Sequence, residues 1–203
     1  MARFIADGLV GFYKLWHGKL HLPGAGALLR FSSRSIPALQ NYPVSVPGIG
    51  TIPLDFRMDN AYSWTNFLLN DPHHEEGLLI VLAAHSSPKM VFWDVGTNIG
   101  LISGNLLRSF PSATFCLFEP NPDLTRRLTS LFSAKSNVTI TETALSDRNG
   151  LAQLNIVPGF SAMATLSSTQ NGNAVGIDVA LQTGDHFLST HPDRVPDLIK
   201  IDV

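Results

Sequence analysis

The sequence predicts an α/β fold in which short strands and helices alternate to form a mostly parallel sheet. From Lys89 onward, apolar runs of strand length alternate with segments whose apolar residues recur at helical spacing, as in parallel strands joined by crossover helices. The run Val91–Val95 leads directly into a glycine-containing turn, and the run Thr114–Phe118 is followed by the acid Glu119. Open α/β sheets bind nucleotide-like ligands at the carboxyl ends of such strands, so these two features together predict a cofactor cleft.

The residue pattern in the first part of the chain predicts a helical lead-in followed by a small β-hairpin. Residues 1–40 contain a helical segment that is interrupted at Pro23–Gly24, and Tyr42–Phe56 has a β-like pattern with a turn near Pro47. The helix either packs on its own domain or lies on a membrane surface. Its apolar stripe at roughly helical spacing consists of Phe4, Ile5, Leu9, Phe12, Tyr13 and Trp16. We expect 1–70 to form this lead-in and cap, and 71–203 to form the cofactor-binding domain.

Capping residues and the spacing of apolar residues predict the helices and strands of the main domain. Asp71–Pro72 has the composition of a helix start, and Asn121 is a plausible N-cap for the helix that begins at Pro122. Val138–Thr143 predicts a third strand, and two later runs predict an antiparallel hairpin. The remaining expected elements are a helix from about Ile99 to Ser109, the two hairpin strands Leu151–Val157 and Val175–Leu181, a short helix at Asp185–Ser189 and a fourth strand at Leu198–Val203.

The apolar residues of the fourth predicted strand indicate that the sheet of this chain is incomplete at its carboxyl-terminal end. Ile199, Ile201 and Val203 look like residues of a strand that is covered on both faces. A chain that stops there leaves an apolar strand edge open, which folded proteins usually avoid. We therefore expect either that further strands follow in the whole protein or that a partner covers this edge.

The composition restricts the classes of protein that fit. The 203 residues are enough for one sizeable domain or for a domain with an N-terminal appendage. The low share of charged residues, 15%, favours much buried surface or an interface and argues against disorder. A formal net charge of −2 gives no general attraction to nucleic acid. No apolar run reaches 18 residues, so no membrane span is expected. The lone Cys116 excludes an internal disulfide framework, and with no secretion signal pattern we expect a cytoplasmic location. The pattern predicts no metal site.

The turn at Asp94–Gly100 has the residues needed to hold a small charged ligand. Gly96 can adopt a positive φ and admit a ligand against the backbone, whereas Gly100 lets the following helix approach the strand. Asp94 can bond a ligand ammonium, directly or through water. Thr97 and Asn98 occupy places where a dinucleotide fingerprint has glycine, which disfavours NAD or FAD and favours a ligand without phosphates.

Four segments in order together resemble the FkbM-type methyltransferases, which belong to the class I group that depends on S-adenosyl-L-methionine. The resemblance covers residues 89–203 and implies a Rossmann-like, doubly wound sheet, S-adenosyl-L-methionine as cofactor and O-methylation of a small-molecule or glycan-type acceptor. In this family the fourth strand normally ends in the sequence Asp-Val-Glu-Gly, of which this chain has the first two residues, Asp202 and Val203. The matching segments are Asp94–Gly100, Phe118–Pro122, Thr143–Asp147 and Pro196–Val203.

The resemblance also implies roles for single residues. Asp94 and Gly96 border the methionine part of the cofactor, with Asn98 nearby. Glu119 binds the ribose hydroxyls. The remaining implied positions are Thr97 and Gly100 in the same turn, Pro120 and Asn121 at the ribose pocket, Ser146 and Asp147 at the adenine, and Asp202 beside the transferring methyl group.

The catalytic base and the identity of the acceptor stay open. A hydroxyl acceptor needs a base, for which Asp202 is the first candidate; His186, His191 and a residue beyond Val203 are the others. Two other functions also stay open, namely a nicotinamide- or flavin-dependent oxidoreductase and an inactive, truncated domain that binds cofactor or a partner. The sequence predicts no nucleic-acid partner and gives no oligomeric state.

Overall fold

The computed structural model describes residues 1–20, 24–46, 50–57, 76–156, 164–166 and 174–202. The chain divides into two compact units. The first contains Met1–His74 with the short segments 156–164 and 171–175, and the second contains 75–155, 165–170 and 176–203. The expected boundary near residue 70, the helix start at Asp71–Pro72 and Val203 lie outside the described residues, so the proposed domain limits stay a prediction.

The first unit consists of short helices followed by one hairpin. A π-helical turn, Lys14–Lys19, directly continues the first helix, and a 3₁₀ turn at Pro37–Leu39 precedes the hairpin. The hairpin strands pair antiparallel, with Val44 opposite Ile52. The named elements of this unit are α1 (Ala2–Tyr13), α2 (Ala25–Ser33), β1 (Tyr42–Val46) and β2 (Gly50–Leu54). Within the described residues this matches the expected helical lead-in and hairpin.

The second unit contains a four-stranded parallel sheet with the order β5-β4-β3-β9. A separate three-stranded sheet has the order β6-β8-β7, so the two runs predicted as a hairpin are neighbours. The strands are β3 (Val91–Val95), β4 (Thr114–Phe118), β5 (Val138–Thr141), β6 (Ala144–Leu145), β7 (Gly150–Ile156), β8 (Val175–Gln182) and β9 (Leu198–Ile201); the helices are α3 (Glu76–His85), α4 (Leu101–Ser109), α5 (Pro122–Leu131) and α6 (Gly184–Thr190).

The parallel sheet carries a hydrophobic cluster on each face, because successive residues of a strand point to opposite sides. On one face Phe92 and Phe115 pack with residues of α3, α4 and α5. On the other face Trp93 and Phe118 pack with Phe187 of α6. Helices therefore cover both faces, as in a doubly wound, Rossmann-like fold.

The strand order places a crevice at the carboxyl ends of β3 and β9. From β3 the chain first builds outward through β4 to β5, and later returns to place β9 on the opposite side of β3. In open α/β sheets this reversal of direction leaves a crevice in which ligands bind. The turn after β3 and the residues at the end of β9 are therefore neighbours at this edge.

Some element ends differ from the expectations. Helix α4 begins at Leu101, two residues after the expected start, because Gly100 adopts a left-handed conformation at its N-cap. Strand β9 ends at Ile201, and the side chains of Ile199 and Ile201 are exposed rather than covered. No helix among the described residues has the length and apolar character to cross a bilayer.

Candidate active site

The turn between β3 and α4 is held by hydrogen bonds to the neighbouring strand. The backbone N–H groups of Gly96 and Thr97 donate to the carbonyl oxygen of Phe118 at 3.0 and 3.2 Å. Gly96 has φ 72° and Asn98 has φ 55°, a left-handed conformation that is uncommon for residues other than glycine, although asparagine tolerates it better than most. The turn thereby holds its backbone against the end of β4.

Gly100 lets α4 start close against α5. Its φ is 81°, and a Cβ atom placed there would lie 2.8 Å from Leu128 Cδ2 and 3.0 Å from Phe132 Cε2. Those distances are shorter than normal carbon–carbon contacts. The expected close approach was to the strand, whereas the short distances at Gly100 are to residues at the end of α5.

Asp94 is buried beneath the first turns of α4. Its side chain has no exposed surface, and its Oδ2 accepts a hydrogen bond of 2.6 Å from Ser103 Oγ. Thr97 Oγ1 donates to the backbone carbonyl of Asp94 at 2.7 Å. A residue of α4 therefore orients the Asp94 carboxylate, and a residue of the turn holds the backbone at the end of β3.

The partner of Asp94 across the sheet is Lys200, which the sequence-based reasoning missed. Lys200 Nζ lies 3.1 Å from Asp94 Oδ1 and donates a 2.9 Å hydrogen bond to the carbonyl oxygen of Gly96. The two residues are directly opposite in the β3–β9 register. Although Oδ1 has this ion pair, it accepts no hydrogen bond of good geometry among the described residues.

A signal for Lys200 was present in the sequence. A lysine whose strand neighbours are Ile199 and Ile201 is unusual in a strand expected to be buried, because a buried ammonium needs a charged or polar partner. The nearby acids Asp94 and Asp202 were already candidate site residues. Combining these two observations would have paired Lys200 with an acid at the end of β3.

Glu119 accepts hydrogen bonds from both sides of the cleft edge. Its Oε2 accepts from the backbone N–H of Asn98 at 2.8 Å, and its Oε1 accepts from that of Asn121 at 3.0 Å. Its side chain is almost fully buried. Desolvation raises the pKa of this carboxyl above its ordinary value, while the two N–H donors counteract part of that rise. The Gly96 turn and Glu119 are therefore directly connected.

The segment after Glu119 is fixed by a capped helix. Asn121 is the N-cap of α5 as expected, and its side chain accepts from the N–H of Asp123 at 3.0 Å. Thr125 Oγ1 donates to the carbonyl oxygens of Glu119 and Asn121. Pro120 lies between these two residues in the chain, so its position is fixed on both sides.

The other candidate residues lie in different surroundings. Asp202 has an exposed carboxylate 3.7 Å from Lys200 Nζ, and its N–H donates to the carbonyl oxygen of Val95. Ser146 donates to Asp147, whose side chain is exposed, and the backbone of Ser146 bonds Gln182. Within the described part of the chain, no hydrogen bond or ion pair joins Ser146 or Asp147 to the Gly96 turn.

The two candidate histidines lie on or directly after α6. His186 is exposed and its N–H bonds the Thr183 hydroxyl that caps the helix. The His191 ring stacks on Phe187 with centroids 4.4 Å apart. Phe187 belongs to the cluster on the sheet face opposite to α4 and α5, so the contacts of His191 are those of a packing residue.

The cleft edge has an excess of negative charge. Asp94, Glu119 and Asp202 supply three carboxylates, and Lys200 supplies one ammonium group through its ion pairs. An excess of one sign in a partly buried site attracts ligands of the opposite sign. The arrangement therefore favours a ligand that carries net positive charge and hydroxyl groups able to donate to Glu119.

Comparison with known proteins agrees with this architecture. The sequence model of the family described as "Methyltransferase FkbM domain" matches residues 94–203. A curated protein, "Methyltransferase sdnD" from Sordaria araneosa, is 30% identical over 149 residues, an alignment that covers 58% of this chain. The alignment covers 57% of that relative, so the chain spans little more than half the length of the curated protein it matches.

Proposed function

The chain belongs to the FkbM methyltransferase domain family, and from this premise we propose that it uses S-adenosyl-L-methionine to methylate a hydroxyl group of a small-molecule or glycan-type acceptor. The observation that carries the proposal is the direct link between the Gly96 turn and Glu119. The N–H of Asn98 in that turn donates to the Glu119 carboxylate at 2.8 Å. One backbone bend and one acid therefore border the same cleft edge.

The residues present fit this cofactor in charge and in hydrogen-bonding capacity. S-adenosyl-L-methionine carries a sulfonium, an ammonium and a carboxylate, so its net charge is positive, opposite to that of the cleft edge. Each oxygen of Glu119 accepts one backbone N–H, and a carboxylate oxygen has capacity for a further donor. Each of the two ribose hydroxyls can therefore donate a hydrogen bond to one oxygen of Glu119.

We assign the residues of the cleft edge as follows. The Gly96 turn receives the methionine part, and the charge of Asp94 acts on its ammonium group. Glu119 holds the ribose, in a pocket shaped by the residues that follow it. The full proposed set is Asp94, Gly96, Thr97, Asn98 and Gly100 for the methionine side, Glu119, Pro120 and Asn121 for the ribose, and Ser146 and Asp147 for the adenine.

Positioning and proton removal are the chemical tasks left to the protein. When bound, the cofactor supplies an activated methyl group for an in-line displacement by the acceptor oxygen. The chain aligns that oxygen and takes up its proton. Asp202 is the proposed base because its carboxylate is exposed directly after β9, at the same cleft edge as Lys200, whose Nζ lies 3.7 Å from it.

A nicotinamide or flavin dinucleotide suits this edge less well. Its pyrophosphate is negatively charged and would meet the carboxylates of Asp94 and Glu119. Thr97 and Asn98 also carry side chains at turn positions where the dinucleotide fingerprint has glycine. An inactive domain that binds cofactor without methyl transfer remains the other candidate, since the chain spans 57% of its curated relative.

Titration calorimetry on the whole chain tests the cofactor. S-adenosyl-L-methionine and S-adenosylhomocysteine are expected to bind and NADH is not. Glu119→Ala should weaken this binding roughly tenfold or more, since it removes hydrogen bonds to a charged acceptor. Glu142→Ala is the matched control, because Glu142 is exposed. Binding of NADH alone, or equal affinity for the Glu119 variant, would contradict the proposal.

Methyl transfer is tested separately with methyl-labelled cofactor and a panel of hydroxylated small molecules and glycans. Asp202→Asn should keep cofactor affinity and lose transfer to any acceptor that the unmodified chain methylates. Cofactor binding without transfer to any acceptor would favour the inactive domain. Unchanged transfer by the Asp202 variant would move the base to another residue.

A further inference from the structure

Helix α1 has two apolar faces, and only one of them is packed. Ala6, Val10 and Tyr13 are buried in the first unit. A second set of apolar residues recurs at intervals of about three, four and seven positions and points outward, which defines a continuous stripe on a helix. This set, which we call the outer face of α1, consists of Met1 at the N-cap, Phe4, Ile5 and Phe12 within the helix, and Leu15 in the π-helical turn that continues it, all of them exposed.

The outer face is too apolar for an ordinary solvent-facing helix side. Phe4 has 82% of its surface exposed, and no charged residue interrupts the stripe. Single exposed apolar residues are normal, but contiguous ones mark an interaction site. The same unit presents further apolar side chains to solvent at Leu20, Leu28 and Phe31, so exposed apolar surface recurs through the helices of this unit.

Positive charge is concentrated in the same part of the chain. Residues 1–46 contain five Lys or Arg residues and a single acid, Asp7, while the chain as a whole has a net charge of −2. Arg3 is paired with Asp7 and lies over the ring of Tyr42. The other exposed basic residues, Lys14, Lys19 and Arg34, have no ion-pair partner within the described ranges.

We propose that the outer face of α1 docks the chain on an anionic lipid surface. Phe4, Ile5 and Phe12 enter the boundary between head groups and acyl chains, which suits an amphipathic helix that lies in the plane of the interface. Lys14 and Lys19, in the π-helical turn that continues α1, then meet lipid phosphates, which attract juxtaposed basic residues. This surface belongs to the first unit and is independent of the proposed methyl transfer.

Charge decides between lipid and a second copy of the chain. In a symmetric dimer through the outer face, the same patch of each copy meets that of the other; segment 1–46 of the second copy would offer Lys14 and Lys19 a single acid, Asp7, which already pairs with Arg3. An anionic bilayer uses both the apolar and the positive residues. It therefore accounts for their coincidence in one helical segment.

Co-sedimentation of the whole chain with vesicles tests the proposal. The chain is expected to pellet with vesicles of phosphatidylcholine that contain phosphatidylserine, and to bind pure phosphatidylcholine about tenfold less. High salt should weaken the binding, because ions screen exposed charges. Equal binding to both vesicle types, or no binding to either, would overturn the proposal.

Paired variants assign the binding to the outer face. Phe4→Ser combined with Ile5→Ser should reduce partition about tenfold or more, because apolar surface that enters the membrane is lost. Lys14→Glu combined with Lys19→Glu should reduce binding to the anionic vesicles alone. Ile80→Ser combined with Val81→Ser on α3 is the matched control, because these are also adjacent, exposed helix residues; it should bind as the unmodified chain does.

Circular dichroism and light scattering complete the test. All three pairs change exposed side chains, so the helical signal should be retained and a loss of binding can be read as a surface effect. If light scattering finds a dimer that Phe4→Ser with Ile5→Ser dissociates, the outer face belongs to a second copy and the lipid proposal is wrong. Binding by that variant equal to the unmodified chain would refute it as well.

Discussion

Lys200 Nζ lies 3.1 Å from Asp94 Oδ1, and the side chains of both residues are buried at the carboxyl ends of two neighbouring parallel strands. The same ammonium group bonds the carbonyl oxygen of Gly96. One lysine therefore compensates the buried carboxylate and also holds the turn beside which we place the cofactor. Removing either partner leaves an uncompensated charge in a poorly solvated place.

Lys200→Met should lower the free energy of unfolding by about 3–5 kcal/mol, because it leaves the Asp94 carboxylate buried and unpaired. Chemical denaturation of the whole chain measures this change. The double variant Asp94→Asn with Lys200→Met should recover part of the loss, since neither partner is then a lone charge. Lys89→Met is the control, because Lys89 is exposed. A single variant as stable as the unmodified chain would show that the pair contributes little.

Glu119 should make stability fall as pH rises from its ordinary pKa through its raised folded pKa. The folded carboxyl keeps its proton in that interval because burial raises its pKa, whereas the unfolded carboxyl has already ionised. The folded state then binds more protons, and stability decreases with pH. The Tm of the unmodified chain should therefore fall relative to that of Glu119→Gln as pH rises above the ordinary pKa of a glutamate.

Glu142→Gln is the control for that pH series, since it removes an exposed carboxylate of the same type. Its difference from the unmodified chain should show a smaller dependence on pH. A Tm of the unmodified chain that instead rises relative to that of Glu119→Gln with increasing pH would indicate that the folded pKa of Glu119 is lowered rather than raised.

Gly100→Ala should destabilise the chain by about 2 kcal/mol or more. A non-glycine residue at φ 81° costs roughly 1–2 kcal/mol, and the new Cβ would also clash with Leu128 and Phe132. Gly77→Ala is the matched control, because it lies in α3 with open space around it and should stabilise by about 0.5–1 kcal/mol. Thermal unfolding of both variants measures the contrast, and equal shifts in Tm would contradict it.

Cys116 should resist alkylation in the folded chain. Burial raises the pKa of its thiol to about 11, and the side chain has no exposed surface. At pH 8 only about one thiol in a thousand is then ionised, and thiolate is the reactive form. Mass spectrometry after iodoacetamide treatment should find the folded chain unlabelled and the denatured chain fully labelled. Labelling at the same rate in both states would place this thiol at the surface.

Features encoded by neighbouring residues were predictable from the sequence. The bounds of β3 and β4 and the N-cap role of Asn121 agree with the expectations, because apolar runs and capping side chains act within a few residues. The order of the motifs also indicated the FkbM methyltransferase family, whose sequence model matches residues 94–203. Element ends were less exact, as at the start of α4, where the conformation of Gly100 delays the helix.

By itself, the sequence determined the alternation of strands and helices, the glycine turn after β3 and the acid after β4. Only the tertiary structure decided that Lys200 pairs with Asp94, that both oxygens of Glu119 accept backbone N–H groups, and that Ile199 and Ile201 are exposed. The physical reason is distance along the chain. Lys200 and Gly96 are 104 positions apart, and periodicity reports local hydrogen bonding and burial, whereas strand order brings such residues together.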